Sequence, residues 1–180
     1  MARVLVVDDE YGIRNSLEHF LKKEGHEVST ASNHYEAMES LNACEFGVVI
    51  TDIIMPRESG IKLLEDIRSK CQNIQVILMT REPTIDTAQK AVRMGAFDYL
   101  TKPIRREDLI KSVSAASKMH SLMVENQRYS EKLEELVRER TSALLESESR
   151  WRSLVQNAPD VIVNVDMDGC VLYANRNFLG

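Results

Sequence analysis

Within residues 1–104, a short apolar run is followed repeatedly by a polar turn and a helical period. This repeat constrains the fold more than any other feature. The runs cover residues 4–7, 27–31, 46–51, 75–80 and 97–101, and each is rich in Val, Ile or Leu. They alternate only weakly, which suits strands buried on both faces of a parallel sheet. Between them lie amphipathic stretches. Ile13, Leu17, Phe20 and Leu21 make one stripe. Ala37, Met38 and Leu41 make a shorter one after Asn33, a good N-cap. Ile61, Leu64 and Ile67 follow Gly60. Ile85, Ala88, Ala91 and Val92 precede Gly95, a helix-stop residue. Strand–helix alternation of this kind predicts a doubly wound α/β domain with a five-stranded parallel sheet and right-handed crossovers.

After Pro103 the pattern changes. Residues 107–150 contain neither Pro nor Gly. A helix over 118–150 would be about 50 Å long, too long to lie on a domain of this size. Met119, Leu122, Asn126, Tyr129, Leu133, Leu136, Arg140 and Ala143 are spaced by alternating steps of 3 and 4, the coiled-coil signature. Val137, Leu144 and Trp151 define a competing frame, which a stutter near residue 137 reconciles. Asn157-Ala158-Pro159 then ends the helix. Residues 160–166 and 170–174 read as a hairpin around Asp166-Met167-Asp168-Gly169, too small to build a core alone.

Charge and cysteine content exclude several functions. Residues 1–120 carry 16 Lys/Arg and 18 Asp/Glu, and residues 121–180 carry 7 and 10. Neither part is basic, so no nucleic-acid binding is expected. The longest apolar runs are too short to span a bilayer, and no signal peptide is evident, so no membrane association is expected. Cys44, Cys71 and Cys170 form no pair, which fits a reducing cytoplasm. His19, His26 and His34 are scattered and suggest no metal cluster. His120 lacks the acidic neighbour of a phospho-acceptor box and reads as a helix-surface residue.

In a parallel α/β sheet, ligand sites form at the carboxyl ends of the strands. The first expected strand ends in Asp8-Asp9, the third in Asp52, the fourth in Thr80 and the fifth in Lys102. Three carboxylates on one edge repel one another and call for a cation, and oxygen donors favour Mg²⁺. Lys102 adds a charge that can meet a phosphoryl oxygen, and the Thr80 hydroxyl can donate to another. One carboxylate can then attack phosphorus. Singly, each residue has an ordinary reading as a cap, a loop residue, strand filler or a surface charge. Their coincidence at four strand ends outweighs those readings.

The segments Val6-Val7-Asp8-Asp9-Glu10, Asp52-Ile53-Ile54-Met55-Pro56, Ser59-Gly60, Met79-Thr80 and Gly95-Ala96-Phe97-Asp98-Tyr99-Leu100-Thr101-Lys102-Pro103 resemble the response-regulator receiver family. The resemblance covers residues 1–120. It implies a flavodoxin-like sheet of order 2-1-3-4-5 and a phosphoryl group accepted by Asp52 from a partner's phosphohistidine. That partner would be a sensor histidine kinase or a phosphotransfer protein. Asp9, Asp52 and the Ile54 carbonyl would ligate Mg²⁺, with Asp8 acting through water. Lys102 would contact the phosphoryl group, and Thr80 and Tyr99 would form the switch pair. Lys102-Pro103 is expected to be cis. One departure stands out: Arg81 occupies a position where the family has a small residue. It is expected to alter the phosphoryl lifetime.

Residues 150–175, including Trp151, Asn157-Ala158-Pro159-Asp160, Asp168-Gly169 and Ala174-Asn175, resemble the opening of a PAS sensor domain. The expected organisation is a receiver over 1–120, a coiled-coil linker over 118–154 that pairs two copies, and a truncated PAS-like fragment over 155–180. No enzyme beyond the receiver's own phosphoryl chemistry is expected. The alternative is a phosphorylation-independent dimerisation or scaffold module with a vestigial acidic site. A flavin protein lacks its phosphate loop here, and an aspartate-nucleophile phosphatase lacks its paired acids.

Overall fold

A computed structural model of the protein describes residues 2–175. The elements, in chain order, are β1 (Arg3–Val7), α1 (Tyr11–Lys23), β2 (Glu27–Ala31), α2 (His34–Ala43), β3 (Val48–Asp52), α3 (Gly60–Lys70), β4 (Gln75–Thr80), α4 (Ile85–Arg93), β5 (Asp98–Thr101), α5 (Arg106–Gln156), β6 (Val163–Val165) and β7 (Val171–Ala174). β1 to β5 form one sheet in the order β2-β1-β3-β4-β5, with every pair parallel. The expected doubly wound α/β fold and strand order are therefore present. β2 and β4 coincide with their apolar runs, and β1, β3 and β5 differ from theirs by one or two residues. β3 starts at Val48 rather than residue 46 because pairing with both Val4 and Gln75 begins there.

The twofold alternation of a strand sends successive side chains to opposite faces. Leu5, Val7, Val49, Val76 and Leu78 meet Ala37 of α2, Ile61, Leu64 and Ile67 of α3, and Ala91 of α4. Val4, Val6, Val48, Ile50, Ile77 and Met79 meet Leu17 and Leu21 of α1, and Leu109, Val113 and Ala116 of α5. Helix starts follow local rules. Asn33 accepts a hydrogen bond from the Glu36 amide at 3.0 Å, and Thr84 and Thr87 form a reciprocal capping box. Gly95 stops α4 at a φ of 77°.

The expected apolar stripe of α4 is corrected in part. Ala91 is buried, but Ile85 and Val92 are 77% and 75% exposed. Helical spacing shows which residues share a face; it does not show that a neighbour covers that face.

The chain divides into two compact units, the first ending at Gln127 and the second starting at Arg128. His120, expected on the helix surface, belongs to the packing of the first unit. Its Nδ1 lies 2.8 Å from the Asn73 carbonyl, and its ring packs against Gly47. Gln75 and Asn73 also reach Met123 and Gln127 of α5.

In the second unit, β6 and β7 pair antiparallel. Asp166 Oδ1 accepts from the amides of Asp168 and Cys170 and shapes the turn. Asn175 donates to the Val155 and Asp160 carbonyls, which ties the hairpin to the end of α5. The expected fragment over 155–180 runs past the described residues after Asn175. Among the described residues, no helix is long and apolar enough to cross a membrane.

Candidate functional site

The carboxyl edge of the sheet brings together Asp8, Asp9, Asp52, Thr80 and Lys102. Asp8 and Asp52 are buried, Thr80 is 1% exposed, and Asp9 faces solvent. Lys102 is buried too, and its Nζ donates to Asp52 Oδ2 at 2.5 Å and to Asp8 Oδ2 at 2.6 Å. Its backbone N–H donates to the Thr80 carbonyl at 2.7 Å, which fixes the side chain beside β4. Burial on its own pushes the Lys102 ammonium downward. The hydrogen bonds and charges of Asp52 and Asp8 outweigh it, and the group lies above its ordinary value. The Lys102-Pro103 bond is cis.

The acidic residues are held by their own loops. Asp8 Oδ1 accepts from the Glu10 amide at 2.9 Å, and Asp52 Oδ1 accepts from the Ile54 amide at 3.2 Å. One carboxylate oxygen from each of Asp8, Asp9 and Asp52 lies within 4.8 Å of the others. These are hard oxygen donors, one of them open to solvent, and three carboxylates face a single ammonium. Donor type, clustering and residual negative charge all fit Mg²⁺. Ile54 is exposed at the rim of this cluster.

Among the described residues, the hydroxyls of the two expected switch residues bond to groups other than the three carboxylates. The Thr80 hydroxyl accepts from the Glu82 amide at 3.2 Å. Tyr99 is half-buried, and its hydroxyl lies 2.9 Å from Thr87 Oγ1 on α4. Thr80 and Tyr99 thus sit on adjacent strands, each tied to the β4–α4 connection or to α4.

Four features escaped sequence reasoning. Arg14 Nη1 donates to the carbonyls of Asp8 at 2.6 Å and Asp9 at 3.0 Å, clamping the acidic loop from the first turns of α1. Gly60 is indispensable for a steric reason. A Cβ there would stand 2.0 Å from the Asp52 carbonyl oxygen, and Gly60 N donates to Ile53 O. Arg81 pairs with Glu10, 71 residues away, at 2.5 Å and 2.6 Å. His34, read as part of no cluster of metal-ligating residues, lies between Glu58 and Asp66, with one ring nitrogen 2.9 Å from each carboxylate. Gly60 had a signal in its position after Ser59; the other partners are set by the tertiary fold.

Comparison with known proteins gives a consistent result. Residues 4–114 match the family model described as the response regulator receiver domain. The chain is 36% identical over 115 residues to the DNA-binding transcriptional regulator NtrC of Azospirillum brasilense, covering 64% of this chain and 24% of that protein. It is 37% identical over 123 residues to the regulatory protein AtoC of Escherichia coli, covering 68% and 27%. The chain therefore spans about a quarter of the length of these curated relatives. Among solved structures, a response regulator receiver domain protein from Clostridium thermocellum superposes with a TM-score of 0.64 at 35% identity, covering 68% of this chain and 99% of that one. The beryllofluoride-activated NtrC4 receiver domain dimer superposes with a TM-score of 0.63 at 34% identity, covering 66% and 98%.

Proposed function

The chain belongs to the response regulator receiver family of two-component signalling, and from that premise we propose that Asp52 is its phosphoacceptor. The observation that carries this reading is the buried Lys102 ammonium bridging Asp52 and Asp8. Such a cation pairs with the Asp52 carboxylate and fixes where its oxygens point, with Oδ1 left to face an incoming phosphorus.

The donor is the phosphohistidine of a sensor histidine kinase or of a phosphotransfer protein. The phosphorus–nitrogen bond breaks, a bond from Asp52 Oδ to phosphorus forms, and the histidine leaves as neutral imidazole after taking up a proton. Asp8, Asp9, Asp52 and the Ile54 carbonyl would hold Mg²⁺, which supplies charge neutralisation at the transferred phosphoryl oxygens. Lys102 meets one of those oxygens. The Thr80 hydroxyl, freed from the Glu82 amide, turns to another. Tyr99 leaves Thr87 and moves inward, and the face formed by α4, β5 and the start of α5 repacks, a shift between two existing states.

Downstream, residues 118–154 pair with a second copy as a coiled coil and lead into a PAS-like segment over 155–180. In the single chain Leu122, Tyr129, Leu133, Leu136, Val137 and Leu144 are all exposed along α5, which supports a partner helix. The setting is the cytoplasm, where the free and exposed Cys44, Cys71 and Cys170 stay reduced.

Intact-mass measurement after incubation with acetyl phosphate and Mg²⁺ tests the acceptor. The wild type gains one phosphoryl group and Asp52→Asn gains none. An adduct on both removes the assignment. Sedimentation and coil cross-linking with and without beryllofluoride test the output; identical behaviour removes that link.

A further inference from the structure

Glu10 and Arg81 are joined across the end of the strand that carries Asp52. Glu10 follows β1, Arg81 follows β4, and β3 lies between those two strands. All three run parallel, so their carboxyl ends share one edge. Neighbouring strands stand ~4.8 Å apart, so a link from the end of β1 to the end of β4 spans about 10 Å over β3. The Arg81 guanidinium makes that link through Nη2 to both carboxylate oxygens of Glu10. The Arg81 side chain is 61% exposed and that of Glu10 45%. An exposed ion pair is weak and exchanges readily for a better partner.

We propose that Arg81 is a phosphoryl-holding residue that changes partner. Glu10 holds it in the resting chain, and it passes to the phosphoryl oxygens on Asp52 once they are present. There it slows hydrolysis. The inference rests on Asp52 being the acceptor. Phosphorylation replaces a carboxylate with a more highly charged group, roughly −2 for a phosphoryl monoester. A planar guanidinium matches phosphoryl oxygens with two parallel N–H bonds. Glu10 is the competing anion on the far side of the same gap. Hydrolysis needs a water oxygen to reach phosphorus; the bond from phosphorus to Asp52 Oδ then breaks, and inorganic phosphate leaves with the water's protons shared between it and solvent. A guanidinium across the outer oxygens occupies that approach.

The test loads the full chain with acetyl phosphate and Mg²⁺, removes the donor and follows adduct decay by intact mass. Arg81→Ala is expected to shorten the lifetime about tenfold, the scale of one charge-assisted hydrogen bond. Glu10→Gln removes the competitor and lengthens it. Arg81→Lys, which keeps the charge but loses the planar fork, falls between. Thermal unfolding midpoints show that each variant is folded. Equal lifetimes for wild type, Arg81→Ala and Glu10→Gln overturn the proposal. In that case the adduct still forms and Asp52 stands as acceptor. No adduct on the wild type removes the acceptor reading and this proposal with it.

Discussion

Two stretches of one helix behave differently. α5 is continuous from Arg106 to Gln156. Its first part buries Leu109, Val113 and Ala116 completely against β1, β3 and β4. Its later part leaves Leu133, Leu144, Leu145 and Leu154 more than half exposed. Both parts are made of good helix formers, so intrinsic propensity does not separate them. Burial does. A sheet face covers the first stretch, whereas among the described residues these leucines of the second stay largely uncovered. Helicity shows that the backbone is satisfied; it does not show where the stabilising free energy comes from.

The largest expected difference comes from truncating one leucine in each stretch. Leu109→Ala should destabilise the receiver by about 2–5 kcal/mol, the range for buried leucines. Leu144→Ala should leave the receiver's urea midpoint unchanged and weaken self-association instead. Equal shifts would show that the two stretches are not energetically distinct. Gly47→Ala attacks the junction. A Cβ there would stand 2.8 Å from His120 Cδ2. The ring must turn and lose its Asn73 partner, at a cost of about 1–3 kcal/mol. Hydrogen exchange should then speed up around residues 117–127 and make that stretch behave like the exposed one.

Electrostatics sharpen the same contrast. Lys102 titrates above its ordinary value in the fold, so its contribution is complete below about pH 10.4 and is lost as pH rises through the folded value. Alkaline denaturation should begin above about pH 10 in the wild type and be blunted in Lys102→Met. The smallest effect belongs to the exposed Arg150–Glu146 pair on the later stretch. Arg150→Ala should change helix stability by about 0.3–0.5 kcal/mol, and only at low salt.

Much of the site could be read before the fold was known. Asp8, Asp52, Thr80 and Lys102 lie at ends of apolar runs, and parallel strands bring such ends to one edge. The runs themselves were legible because strands buried on both faces need apolar side chains at nearly every position. The partners of those residues were not legible. Nothing local shows that Lys102 chooses Asp8 over Asp9, since both adjacent carboxylates carry the same charge. The choice follows the strand pleat, which turns Asp8 inward and leaves Asp9 in solvent. Ile85 and Val92 misled for the opposite reason. Their spacing was right for one face of α4, but the sheet reaches only Ala91 and its half-buried neighbours.

By itself the sequence determined the order of strands and helices, the stops at Gly95 and Pro159, and the residues at each strand's carboxyl end. These follow from local sterics and from the periodicity of burial, which act over a few residues. The tertiary structure decided the pairings over long separations: Arg81 with Glu10, His120 with Asn73, and Lys102 with Asp8 and Asp52. Hydrogen bonds and ion pairs between distant residues form only after crossover connections bring strand ends within a few ångströms, and no local pattern encodes that distance.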